Sequence, residues 1–508
     1  MKHRTLTNDR LAETRDATTP EFGVRRSMFN VECSVFIALL VLAAGCVRFH
    51  PQPISAEQTA AQLESRRLDD AGLRKFVEQC QGHDLAPRPV TNWDLNTLTL
   101  AALYFHPDLA VARAQWRVAD AGVKTAGQRP NPTVSVTPGY DSGIPGNFSP
   151  WIVPVTTDIP IETAGKRAKR IDEARDASRS AWWNLVNTAW QIRSAVRSAL
   201  LDYTVARQRA ELVQQQLAVQ EELVKRMRQR FDLGEISRPE LTPMLIALDR
   251  AKLDAGDAQV QLASTRSRLA ESLGVTVDAL EGQALNFDFT SRAPAELTSA
   301  AARRVALLGR SDLQASLADY AAAQDDLRLE IAKQYPDLHL GPGYAWNNGN
   351  AGDSQWQLGL TLELPILDQN QGPIAEAKAR RALAAAQFTA LQAKVIGEIE
   401  RALSGYQAAQ TAWETGVTLL AAEQRQQQSI ESQQRIGSAD RVDLLGAQME
   451  YAIGRLGNLD GEAKLQAALG ALEDALQRPA NNLEIAGTTL TNIVQKSLGT
   501  SENEETHP

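Results

Sequence analysis

Only three of the 508 residues are cysteine, at positions 33, 46 and 80, so no framework of internal disulfides holds this chain. Positive charge is not in excess either, and a formal net charge of −8 argues against nucleic acid as a partner. Aromatic residues make up 6% of the chain, and long stretches are rich in Ala, Gln, Arg, Glu and Leu. That is the composition of extended helices rather than of a compact mixed core. His50, His83, His106, His339 and His507 are scattered without ligand spacing, so no metal site is expected. Gly165-Lys166 has Pro160 where a phosphate loop needs its upstream glycine. The chain therefore reads as a non-enzyme with no metal and no bound cofactor.

The apolar run Val35 to Ala44 is too short to cross a bilayer as a helix. Preceded by Arg25-Arg26 and followed by Gly45-Cys46, it reads as the hydrophobic region of a signal peptide over residues 1–45. Leu42-Ala43-Ala44-Gly45-Cys46 has the form of a bacterial lipobox, in which Cys46 receives a diacylglyceryl group. An ordinary secretory signal with a chance cysteine is the alternative. The acidic stretch before Arg25 leaves both Met1 and Met28 as possible starts. Residues 47–60, with Pro51 and Pro53, read as a flexible tether, and the polar tail after Pro479 reads as disordered.

What fills the rest is a duplication. Asp108-Leu109, Pro132 and Pro138-Gly139-Tyr140 recur 204 residues later as Asp312-Leu313, Pro336 and Pro342-Gly343-Tyr344. Ile171, Glu173, Ala174, Gly234, Arg238, Leu241, Leu269 and Leu273 recur 203 residues later, from Ile374 to Leu476. Within each unit the periodicity changes from helix to strand and back. Val134, Val136, Pro138 and Tyr140 alternate with small or polar residues, as do Val153 to Ile161, Leu338 to Tyr344 and Trp356 to Leu364. These are four strands of about ten residues, the length of a tilted span in an outer membrane. Four strands of a soluble sheet with one wet face remain the alternative.

From Lys166 to Asp232 no proline occurs, and small or apolar residues recur about every 3.5 positions. At 1.5 Å per residue this predicts a helix of about 100 Å. Gly234 and Gly437 end such helices. Ser237-Arg238-Pro239-Glu240 and Asp440-Arg441-Val442-Asp443 then restart them as capping boxes, so each pair forms a hairpin. Glu240 and Asp443 either only satisfy the helix ends or also face a partner at the hairpin tip.

The expected division is thus a signal peptide over 1–45 and a tether with an equatorial segment over 46–92. A first repeat over 93–281 holds strands 132–142 and 151–161 and helices 166–232 and 238–273. A linker over 282–296 leads to a second repeat over 297–479, with strands 336–346 and 355–365 and helices 373–435 and 441–476, before a tail over 480–508. The fold class is mainly α with a small transmembrane β part. A sheet in lipid must close, because each unpaired backbone group costs several kcal/mol. Four strands cannot close, two chains would give a barrel nearly filled by side chains, and three give twelve strands around an open lumen. The expected assembly is a homotrimer, a 12-stranded β-barrel on a coiled-coil α-barrel. A lipid-anchored coiled-coil scaffold shares the helices but leaves the strand pairs unexplained.

Over roughly residues 95–476 the chain resembles TolC-like outer-membrane efflux proteins. The resemblance is carried by His106-Pro107-Asp108-Leu109, Asn131-Pro132, Pro160-Ile161 with Gly165-Lys166-Arg167, and the Gly-x-x-Ser/Asp tips. Leu63 to Asp70 is similar to the N-terminal part of members paired with heavy-metal pumps. The resemblance implies a passive exit duct of a tripartite system, for metal ions or drugs, lipid-anchored in the outer membrane. Its implied partners are a periplasmic adaptor (membrane fusion) protein and an inner-membrane pump of the resistance-nodulation-division type. Gly234, Ser237, Glu240, Leu241, Gly437, Asp440, Asp443 and Leu444 match the adaptor-docking tips. Asp443 also matches the first aspartate of the family's constriction rings, while the position of the second is Gly446.

Overall fold

The computed structural model describes residues 49–82, 92–143, 150–347, 355–480 and 491–495. Residues 1–45, read as a signal peptide, Cys46 and His83 lie outside them. Contacts divide the chain into residues 1–60 and 61–508. Described residues of the first part carry exposed Phe49 and Ile54 and the start of helix α1, Ala56–Glu64, which begins inside the stretch read as a tether.

In the second part, α2 (Ala71–Gln81), β1 (Asn92–Trp93), α3 (Leu95–Phe105) and α4 (Pro107–Ala126) come first. Asp94 starts α3 by accepting from the Thr97 amide at 2.8 Å while its own amide donates to the Thr97 hydroxyl at 3.0 Å. His106-Pro107 separates α3 from α4, because proline has no N–H to continue the ladder. Strands β2 (Thr133–Val136), β3 (Gly139–Tyr140) and β4 (Trp151–Ile161) lead into α5 (Lys166–Asp232) and α6 (Arg238–Leu273). After β5 (Ala284–Leu285) the order repeats with α7 (Ala300–Gly309), α8 (Ser311–Ala332), β6 (Leu338–Asn347), β7 (Gln355–Leu362), α9 (Gln371–Arg435) and α10 (Arg441–Leu476).

The 67 residues of α5 make a rod of about 100 Å. Both long helices are entered through left-handed residues, Ala164 and Gly165 before α5 and Asn370 before α9. α5 packs against α4, α6, α8 and α10, and α9 packs against α8 and α10. Two cores at matching levels hold the hairpins. In the first, Leu185, Ile192, Val196 and Leu200 of α5 meet α3 and Leu269 and Leu273 of α6. The second places Val395, Ile399 and Tyr406 of α9 on Leu465, Leu472 and Leu476 of α10. Ile192, Val196, Leu269 and Leu273 lie 203 positions before Val395, Ile399, Leu472 and Leu476. The tail, read as disordered, returns Ile493 and Val494 into the first core, where both are buried.

One strand differs from its reading. Residues 132–142 form two short strands, β2 and β3, with the break at Thr137-Pro138, whereas the corresponding Pro342 lies inside the continuous β6. Both short strands lie on the same edge of β4, so the sheet runs β2/β3, β4, β6, β7, antiparallel throughout. The first repeat meets the second at β4 and β6, where Ile161 pairs with Leu338 and Val155 with Tyr344.

A buried ionic network joins the repeats lower down. Glu473 of α10 takes both terminal nitrogens of Arg193 at 3.2 Å and Nε of Arg197 at 3.2 Å, with all three side chains at most 7% exposed. Arg197 also donates to the Gln466 carbonyl at 2.9 Å, and the Ala480 amide donates to Glu473 at 2.6 Å. A Cβ on Gly470 would stand 2.2 Å from Arg197 Nη1, so the glycine makes the guanidinium's room. Replacing Glu473 by Ala leaves two buried guanidinium groups without their carboxylate. The expected loss is about 3–5 kcal/mol, with Glu473→Gln losing less, as read by chemical denaturation of the purified protein. Equal stability of wild type and Glu473→Ala would reject this network as a support of the fold.

Candidate functional site: hairpin tips and sheet face

The tips begin with backbone geometry. α5 closes on Gly234 at φ +78°, with the Glu235 amide bonded to the Arg230 carbonyl at 2.9 Å. α9 closes on Gly437 at φ +79°, with the Ser438 amide bonded to the Gln433 carbonyl at 2.9 Å. Both are turns in which a left-handed glycine satisfies the last carbonyls. The restart differs between repeats. Glu240 accepts from both the amide and the hydroxyl of Ser237 at 2.7 Å. Asp440 accepts from the Asp443 amide at 2.8 Å while its own amide donates to Asp443 at 2.9 Å. Leu241 and Leu444 are buried one turn on and anchor the returning helices.

Sequence reasoning missed Arg230, which reaches from the last turn of α5 to the Asp440 carboxylate and ties the two tips together. Its counterpart 203 residues later is Gln433, so the asymmetry between repeats was the available signal. The hydroxyl and amide of Ser237 hold the Glu240 carboxyl below the usual range. The Asp443 amide does the same for Asp440, with Arg230 adding to it against the opposing effect of burial. Asp440 in turn raises the Arg230 guanidinium. Asp443 is exposed, and its carboxylate is engaged as a cap. Between the hairpins, a groove of about 950 Å³ is lined by Gln216 and Gln220 of α5, Arg238, Thr242 and Ile246 of α6, and Met449 of α10.

At the other end, register sorts the sheet into two faces, because directly paired residues of an antiparallel ladder share a side. Leu338, Leu340, Pro342 and Tyr344 pair with Leu362, Leu360, Leu358 and Trp356, and Ile161, Ile159 and Val155 lie beside them. Leu358, Leu360 and Trp356 are exposed. Tyr140 stacks edge-on with Trp151, and Tyr344 meets Trp356, all toward the loop end of this face. The opposite face carries His339, Gly341 and Gly343 against Thr361, Gly359 and Gln357. At the sheet's foot, Asp337 accepts from Lys166 Nζ at 2.8 Å and the Thr163 amide at 2.9 Å, clasping the start of α5. Among the described residues no helix is long and apolar enough to cross a membrane, and no cluster of three or more His, Cys, Asp or Glu could hold a metal ion.

Paired strands above duplicated long helical hairpins define the class of fold, one found in outer-membrane channels. The family model for outer membrane efflux proteins matches twice, over residues 100–275 and 302–477, and the chain belongs to that family. The cobalt-zinc-cadmium resistance protein CzcC of Cupriavidus metallidurans is 27% identical over 216 residues, 42% of this chain and 50% of that protein. The chain thus spans about half the length of this curated relative. Among solved structures, the outer membrane protein VceC of Vibrio cholerae superposes with a TM-score of 0.62 at 19% identity, covering 76% of this chain and 97% of VceC. The open-state outer membrane channel MtrE of Neisseria gonorrhoeae gives 0.62 at 16% identity, covering 76% and 89%. CusC gives 0.60 at 17% identity, covering 78% and 95%. These family and fold neighbours are channel proteins and not enzymes.

The tip geometry generates a prediction about pH. Depressed carboxyl pKa values in the folded state mean that the capping contribution is present above the ordinary carboxylate range, about 4, and is lost as pH falls through the lower folded values. Asp440→Ala removes both cap and Arg230 partner, and about 1 kcal/mol of local helix stability is expected to go with the cap. Hydrogen exchange should speed at the amides of residues 441–445 with no change in the sheet. Unchanged exchange there would show that Asp440 does not hold this helix start.

Proposed function

We propose that the chain is the outer-membrane exit duct of a tripartite efflux system, acting as a passive homotrimer. The observation that carries this reading is the four-stranded sheet itself. One face is apolar apart from Thr157, with Val134, Trp356, Leu358 and Leu360 exposed, and both edges, β2/β3 and β7, lie open within one chain. In lipid those edges require partners, and three copies closing edge to edge give twelve strands around a lumen. The aromatic pairs at the loop end then form the outer interfacial girdle.

The tips are proposed to dock a periplasmic adaptor protein, served by an inner-membrane pump of the resistance-nodulation-division type. The groove between the hairpins, with Gln, Arg and Met lining, suits an adaptor helix. Likeness to CzcC, together with Leu63 to Asp70, supports metal ions as cargo, with drugs the alternative. Asp443 is proposed as one negative group of a three-copy constriction, a role compatible with capping. Cys46 is proposed to carry the lipid anchor in the outer membrane.

Two expected outcomes follow from the barrel. Arg at Leu360, on the apolar face, should cost about 2–4 kcal/mol, and Arg at Gly359 much less. A Cβ at Gly359 would have only the Gly341 carbonyl oxygen near it, at 3.4 Å. Equal loss of folded protein for both would reject the lipid-facing assignment. Purified protein should run as a detergent-resistant trimer that conducts in planar bilayers, with Asp443→Asn altering the current at low salt. Identical currents would leave Asp443 as a cap only, and monomers without conductance would overturn the channel. Deleting the gene should sensitise cells to divalent metals, drug sensitivity alone would reassign the cargo, and an unmodified Cys46 by mass spectrometry would remove the anchor.

A further inference from the structure

The polar face of the sheet is almost without charge. Across β2, β3, β4, β6 and β7 its residues are Thr, Ser, Gly, Gln and Asn with Pro154, Pro160, Ala345 and Ile152, and only Asp158 of β4 and His339 of β6 can carry charge. The two are not directly opposite: Asp158 lies beside Thr133 of β2, and His339 is placed between Pro160 and Thr361. They meet on the diagonal, with His339 Nδ1 at 3.1 Å and 3.0 Å from the two Asp158 carboxylate oxygens. Both side chains stay open to solvent, at 39% and 47% exposure. The apolar parity of the strands places this face away from lipid.

We propose that the Asp158–His339 pair is a cation-selecting element of the lumen whose charge is set by protonation of His339. This rests on the sheet being one third of the pore wall. With His339 neutral each protomer contributes one negative charge to an otherwise neutral wall, so three copies form a ring whose field a low-dielectric wall focuses on the passing ion. With His339 protonated the pair sums to zero and the ring is lost. Nδ1 faces the carboxylate, so the proton that changes the charge is exchanged at Nε2. Histidine is the side chain that changes charge between roughly pH 5 and 8.

Other groups near His339 do not duplicate this switch. Neither β7 nor β2 presents an ionisable side chain to it, Thr361 and Thr133 being the residues there, and the exposed Glu363, two residues past Thr361, lies beyond the end of β7. Asp337, just before β6, is neutralised by Lys166 at 2.8 Å, and Glu162 by Arg170 at 2.7 Å. Within the described strands the only other titratable side chains are Tyr140 and Tyr344, on the apolar face.

The test is the reversal potential of full-length trimers in planar bilayers under a potassium chloride gradient, at pH 5 and pH 8. Wild type should prefer cations at pH 8, and the cation-to-anion permeability ratio should fall several-fold at pH 5. His339→Gln should keep the preference at both values, whereas Asp158→Asn at pH 8 should fall to the ratio that wild type shows at pH 5. The two variants act on different strands, so either alone decides the matter if the other fails to assemble. Conducting wild-type channels whose selectivity matches both variants at each pH would overturn this inference and leave the channel reading intact. Wild-type trimers that carry no current would overturn both.

Discussion

A backbone amide or carbonyl without a partner is tolerable in water and expensive in lipid, and this sheet has two edges of them. β4 and β6 are paired on both sides, while β2/β3 and β7 are each paired on one. The apolar face makes a watery location equally poor, since Leu358, Leu360, Val134 and Trp356 would stand in solvent. Lipid on one face and a second copy at each edge, as proposed above, would resolve both problems together. In that assembly the long hairpins would follow the symmetry of the strands, because each is joined to the sheet through a short left-handed entry, at Ala164-Gly165 or at Asn370.

Much of this was legible from local pattern. Period-two alternation located the sheet and sorted its residues onto two faces, because pairing obeys the same parity. The proline-free run from Lys166 to Asp232 corresponds to one helix, with its end at a left-handed glycine. Interactions between residues hundreds of positions apart were not legible: Arg193 with Glu473, Arg230 with Asp440, and Asp158 with His339. Each member of these pairs has an ordinary solvated reading on its own helix or strand. Pro138 was counted as a strand residue because its neighbours alternate, yet the strand breaks at Thr137-Pro138 while its counterpart with Pro342 stays whole. Ile493 and Val494 were lost in a polar tail because two apolar residues make no period.

The duplication explains where apolar packing is shared and where polar chemistry is not. Ile192 and Val395, or Leu273 and Leu476, do the same work in both cores. Arg193, Arg197 and Glu473 have Ile396, Glu400 and Ala270 as their counterparts. Hence the buried network exists once, between the long helix of one repeat and the returning helix of the other. The network thereby pins α5 of one repeat to α10 of the other, where Glu473 neutralises both guanidinium groups.

The same inequality at the tips has a consequence for counting. Three copies of this chain would offer six hairpin ends on a nearly sixfold backbone, but of two kinds in alternation. One is headed by Ser237 and Glu240 with Arg230 beside it, the other by Asp440 and Asp443 with Gln433 in the corresponding place. A partner ring of six identical subunits could not sit on them equivalently. Its members would have to adopt two seats in turn, and occupancy would rise in two stages rather than one. A ring of three could choose one seat and ignore the other. Stoichiometry at this end is therefore a chemical question, settled by whether a single surface can accept both a guanidinium and the amide that replaces it.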